Sequence, residues 1–131
     1  MRGGIRIALE YVALNVLDVF ASYISNAYLQ LHSSHRDYII CGPEFGFEKV
    51  GKNSLISSSL YGGKDYGTEF RHHYTECMPH LYFESCLADP EIWMIPAMKV
   101  YGPEYYEYVL LCTDDMLVIS ESVSMYLGNR L

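Results

Sequence analysis

A chain of 131 residues, half of them apolar and 15% aromatic, is long enough for one packed domain and not two, and too apolar for wholesale disorder. Its net charge of -7, with nine Lys and Arg and no basic run, excludes a stand-alone nucleic-acid binder, because neutralising phosphates takes clustered cations. Four cysteines without a CxxC pair exclude a disulfide scaffold and point to a reducing, intracellular setting.

Residues 5–16 read as an amphipathic helix, with Ile5, Leu9, Val12 and Val16 at helical spacing and the poor helix formers Gly3 and Gly4 ahead of it. Arg6, Glu10, Asn15 and Asp18 break the apolar bias of this end, so it is neither a membrane span nor a signal peptide. Val19 to Ile24 is a short β-prone run. Tyr38 to Cys41 is a second, closed by Gly42-Pro43, and a turn or short helix follows from Glu44 to Gly51. Leu55 and Ile56 form a weak strand before a serine cluster, and Gly62-Gly63 marks a break.

From Lys64 the pattern turns helical, with Phe70, Tyr74, Cys77 and Met78 as an inner stripe. Pro79 disfavours helical geometry at the residue before it, which ends this helix near Cys77. Leu81–Phe83 and Ile92–Ile95 are further candidate strands, with a turn at Asp89-Pro90 between them. Tyr105 to Thr113 and Met116 to Ser120 form a hairpin with Asp114 and Asp115 at its tip. Short strands with two helices make the fold α+β.

Two adjacent aspartates between apolar strands have two readings. One is an ordinary polar turn. The other is a divalent-metal site, since Mg²⁺ is commonly held by one or two carboxylates together with substrate phosphates. His73, Cys77 and His80, with Cys86 nearby, are zinc ligands in kind, but their spacing matches no standard zinc module and Pro79 disturbs the helix just before His80.

The stretch EYVLLCTDDMLVIS resembles the hairpin that carries the YVDD-type metal motif of copia-type retrotransposon reverse transcriptases. SSLYGGKDYGTEFRHH resembles that family's SLYGLKQAPRxWY segment, which lies near template and incoming nucleotide. SNAYLQ, IICGPEFGFE and CLADPEIWM resemble its DVxxAFLNG, QPEGF and ADPCVY stretches, in the family's order. The resemblance implies a partial polymerase palm over residues 5–120: an antiparallel sheet with a central hairpin packed against two helices. It implies a remnant at 121–131 joined by an internal deletion, with the basic fingers segment that should precede Ile5 absent. Without that segment and the thumb, the Leu110, Leu111 and Val118 region is expected to lack cover.

By resemblance, the activity is RNA-directed DNA polymerisation by two-metal phosphoryl transfer with Mg²⁺. A template–primer is the implied partner, held weakly by so acidic a chain, in the cytoplasm or in virus-like particles and not at a membrane. Asp114 and Asp115 match two of the three catalytic, metal-holding carboxylates. The third falls five residues before the aromatic of Ala27-Tyr28-Leu29, at Tyr23. A phenol, protonated at neutral pH, is a poor Mg²⁺ ligand. Asp18 is a poor substitute, an odd number of steps and about 16 Å away along a strand. The chain is therefore expected not to polymerise. Tyr28 matches the nucleotide-site aromatic that screens out a 2′-hydroxyl, or is a core aromatic beside the sheet. Lys64 matches a nucleotide-binding position, while Asp65 next to it should repel phosphates. Cys112 and Thr113 stand where the family has Tyr-Val. Two further readings are a palm-derived scaffold that binds a protein partner and an element remnant with no cellular role.

Overall fold

The computed structural model describes residues 2–33, 35–60, 62–63, 66–113 and 115–122. The chain forms two compact units, one of Met1–Ser25 with Thr75–Leu131 and one of Asn26–Tyr74. The architecture is mixed α+β with a multi-stranded antiparallel sheet and two helices. Among the described residues no helix is long and apolar enough to cross a membrane, and all four cysteines are free thiols.

The first unit is built on helix α1 (Arg2–Asn15) and strands β1 (Asp18–Tyr23), β4 (Glu84–Ser85), β5 (Ile92–Met98), β6 (Glu104–Cys112) and β7 (Asp115–Ser120). These strands form one five-stranded sheet in the order β1-β7-β6-β5-β4, every pair antiparallel. The period of two sorts their side chains into two faces. One carries the row Ala21, Leu117, Leu110, Ile92 and the row Val19, Ile119, Tyr108, Met94. The other carries Phe20, Val118, Val109 and Trp93.

Ala8 of α1 and Leu17 cluster with Tyr105, Leu110 and Ile119, and Ile5, Val12, Ile92 and Leu117 pack around them. Ile119 is 0% exposed, and Leu110 and Val118 are each 2% exposed. The expectation that the Leu110, Leu111 and Val118 region lacks cover is therefore corrected. Leu111 is buried as well, so both faces are covered at these positions.

Helix α1 starts at Arg2 and not at Ile5, so it runs through both glycines. A Cβ on Gly4 would lie 3.2 Å from Asp89 Oδ2 and 3.2 Å from Ile92 Cδ1. A bare backbone there lets the helix come close to the sheet, which compensates for glycine's low helix propensity. At the other end Val16 takes the left-handed conformation (φ 52) and the Leu17 N–H donates back to the Val12 carbonyl at 3.1 Å. That is a Schellman closure, with the buried Leu17 as its hydrophobic contact. The Lys99 ammonium donates to the Asn15 carbonyl and so meets the negative end of the helix.

Polar groups in this unit find partners. Tyr106 lies opposite Pro96, which has no N–H to give, and beyond the last β6–β7 pair. The Tyr11 hydroxyl donates to the Tyr106 carbonyl and accepts from its N–H, each at 3.1 Å. Glu107 Oε1 accepts from Tyr105 at 2.9 Å and from the buried Ser120 hydroxyl at 2.7 Å.

The second unit holds strands β2 (Tyr38–Ile40) and β3 (Asn53–Leu55), paired antiparallel, with 3₁₀ turns at Tyr28–Gln30, Pro43–Phe45 and Phe47–Lys49. Helix α2 (Tyr66–His80) begins in this unit and ends in the first. Ser59, fully buried, donates to Glu69 Oε2 at 2.9 Å, and the Tyr66 hydroxyl donates to Asp37 Oδ2 at 2.9 Å.

Two further expectations are corrected. Helix α2 runs to His80 with Pro79 inside it, and does not stop at Cys77. Pro79 has no N–H to give to the preceding turn, and only His80 follows it in the helix, so little of α2 lies beyond the disturbance. No strand forms at Leu81–Phe83. Tyr82 turns the chain at φ 66, and the short edge strand β4 starts at Glu84.

Burial raises the Tyr74, Tyr105 and Tyr108 phenols above their ordinary value, and the hydrogen bond to the Asp37 carboxylate raises Tyr66. Because these groups hold their protons longer folded than unfolded, the linked stability is complete below about pH 10 and is lost as pH rises through the folded-state values. Urea midpoints should fall steadily above about pH 10. Tyr108→Phe should flatten that decline, and a midpoint constant through strong alkali would contradict the assignment.

Candidate functional site

Strand β1 brings Tyr23 directly opposite Asp115 on β7, and Asp115 directly opposite Cys112 on β6. Directly opposed residues of antiparallel strands project to the same side. A phenol, a carboxylate and a thiol therefore form one cross-strand row at the end of the sheet. Tyr23 is 67% exposed, and Asp115 and Cys112 are exposed too. The row borders a recess of about 550 Å³ whose walls include Ile5, Ala21, Leu110 and Leu117.

Asp115 is the first residue of β7 and not a turn residue. Cys112 pairs with Asp115, so β6 ends at Cys112 and Thr113 opens the short connection to β7. Thr113 is not on the strand, as its β propensity suggests, but in the loop at φ 62. Two-residue hairpins favour positive φ, normally supplied by Gly or Asn. A β-branched residue there stores strain of order 1–3 kcal/mol. Asp114, Lys64 and Asp65 lie outside the described residues.

Asp18 sits at the opposite end of β1, paired with Ser120, so it cannot reach the row at Asp115. Tyr28 is in the second unit, buried in the first 3₁₀ turn, with its ring edge-on to Phe70 at 5.7 Å between centroids. His73, Cys77 and His80 are carried by α2 and Cys86 follows β4. Among the described residues no group of three or more His, Cys, Asp or Glu side chains could hold a metal ion.

The donor set at the row decides its chemistry. A hard dication such as Mg²⁺ selects carboxylate, carbonyl and water oxygens, whereas a thiol suits softer metals. Tyr23 and Cys112 therefore do not complete a two-Mg²⁺ site around Asp115. Cys112 beside Asp115 is a neighbour that composition alone did not signal, because only the hairpin register brings it there.

No family model matches this chain, and neither does any curated protein or solved structure.

Proposed function

We propose that the chain is a degenerate palm segment of a copia-type reverse transcriptase in which the polymerase site has lost its third carboxylate and its activity. The observation that carries this reading is the pairing of Tyr23 with Asp115 across adjacent antiparallel strands. A polymerase palm needs its first-strand acid beside a hairpin that bears two more. Here a first strand lies against the second arm of a hairpin, and the motif position of that acid falls opposite Asp115.

In the family a pair of Mg²⁺ ions neutralises charge on the attacking and leaving oxygens. A phenol is a poor ligand for Mg²⁺, so Tyr23 would not stand in for the third carboxylate that holds such ions. Tyr28 and Lys64 remain the proposed nucleotide-facing residues, and Asp114 and Asp115 the proposed remnants of the catalytic, metal-holding set. The purified protein, given Mg²⁺, nucleotides and a primed template, should extend no primer. Any template-dependent DNA synthesis abolished by Asp115→Asn would overturn the loss of activity.

A second reading, a non-catalytic scaffold that binds a protein, is favoured by one observation. Tyr38, Ile40 and Leu55 share the open face of the β2–β3 pair, and Ile40 is 74% exposed. A pull-down that retains one stable protein partner and no nucleic acid would favour it over a polymerase remnant.

A further inference from the structure

Strand β1 is the edge of the five-stranded sheet. It pairs with β7 on one side, and among the described residues no strand pairs with its other side. An open edge presents a row of main-chain donors and acceptors that another extended strand can satisfy. Natural edges are usually guarded by Lys, Pro, a bulge or a covering element. The sequence DVFASY carries no Lys and no Pro, and its pairing with β7 is continuous from Asp18 to Tyr23 without a bulge.

The side chains say what fits there. Val19, Ala21 and Tyr23 share one face. Val19 is 39% exposed and Tyr23 is 67% exposed, and they flank the small Ala21 symmetrically. A two-fold axis perpendicular to the sheet makes a second β1 antiparallel to the first and keeps equivalent faces on the same side. Residues of equal parity must then oppose each other. Placing the axis at Ala21 sets Val19 against Tyr23 of the partner subunit, twice over, and Phe20 against Ser22 of the partner subunit. Aromatic against β-branched is a favourable cross-strand pair. The strand's one charge, Asp18, falls outside the five paired residues, so no like charges meet despite a net charge of -7 per chain.

We propose that the chain self-associates by pairing β1 with β1 of a second copy, antiparallel about Ala21, into one continuous ten-stranded sheet. The contact is isologous, so it closes at the dimer and, among the described residues, leaves the short β4 strands as the two edges of that sheet. It covers Tyr23 and the outer side of the Tyr23–Asp115 row. The association does not depend on polymerase ancestry, because it uses only the edge and its side-chain pattern.

Sedimentation over a concentration series tests this with the intact chain. The wild type should shift from monomer to dimer. Ala21→Lys, which sets two lysines directly opposite on the axis, should weaken the dimer about tenfold or more. Ile40→Lys, on the other exposed apolar face, should change it by less than about twofold. A wild type that stays monomeric into the millimolar range, a dimer untouched by Ala21→Lys, or one abolished by Ile40→Lys overturns the proposal. Should Ala21→Lys fail to fold, hydrogen exchange of the wild type decides. Amides of Val19–Tyr23 that exchange more slowly at high concentration support the pairing, and exchange independent of concentration overturns it.

Discussion

Ile119→Ala should lower the free energy of unfolding by about 3–4 kcal/mol. Ile119 is 0% exposed and belongs to the cluster that joins Ala8 and Leu17 to Tyr105 and Leu110. Removing its outer carbons loses their transfer free energy and leaves a void that helix and sheet, held by their own hydrogen bonds, close only in part. Against a total stability of about 5–15 kcal/mol for a small protein, that change removes between a fifth and most of it, and at the low end of that range populates unfolded chain at room temperature. Ile119→Val, which deletes one methylene, should cost about 0.5–1.5 kcal/mol. Ile40→Ala, at a site 74% exposed, should change stability by less than about 0.5 kcal/mol. Urea melts with equal slopes read all three. An Ile119→Ala protein within about 1 kcal/mol of wild type would mean that the α1–sheet interface is not the core.

Tyr23→Asp should create a divalent-metal site at the Tyr23–Asp115 row. The new carboxylate would stand opposite Asp115, with Asp114 adjacent in sequence, giving the three acids that two-metal chemistry uses. Without metal the variant should be less stable than wild type, because like charges directly opposite on neighbouring strands repel by about 0.2–1 kcal/mol. With Mg²⁺ at about ten times its dissociation constant it should regain about 1.4 kcal/mol by mass action. The sign of the stability difference between variant and wild type should therefore reverse on adding Mg²⁺. Tyr23→Asn has the shape without the charge and should show no reversal, and Asp18→Asn, at the far end of β1, should leave the response of Tyr23→Asp intact. A Tyr23→Asp protein whose thermal melt ignores Mg²⁺ and Mn²⁺ would remove the ligand position from residue 23, and with it the reason given for lost polymerisation.

The strands that carry the row were legible as β-prone runs, and β1, β6 and β7 fall within about a residue or two of where their Val, Ile, Tyr and Phe content puts them. What the pattern could not give was loop length. Alternation fixes which residues share a face, while the pairing of Cys112 with Asp115 puts Asp115 on β7 and not in the turn that the two acids suggest. Thr113 is a poor sequence signal for positive φ, since Gly and Asn are the residues that normally announce it. The start of α1 was hidden because a glycine weakens a helix as an isolated segment, and only Asp89 and Ile92, brought close by the fold, explain why Gly4 belongs there. Pro79 is a weak stop signal here because a single helical residue, His80, follows it. The pairing of β1 with β7 has no local signal, because contacts between residues so distant in the chain leave no periodic trace.

The same pairing fixes when the sheet can be finished. Strands β5, β6 and β7 follow one another closely and can zip as neighbours, whereas Asp18 must find Ser120 near the other end of the described chain. Closing so long a loop carries an entropic cost that short-range pairing avoids, and topologies dominated by such contacts fold slowly. On a ribosome, β1 emerges well before β7 and waits, without the strand it pairs with, until β7 has been synthesised. Throughout that interval it is the segment most open to capture by a chaperone or by another nascent chain.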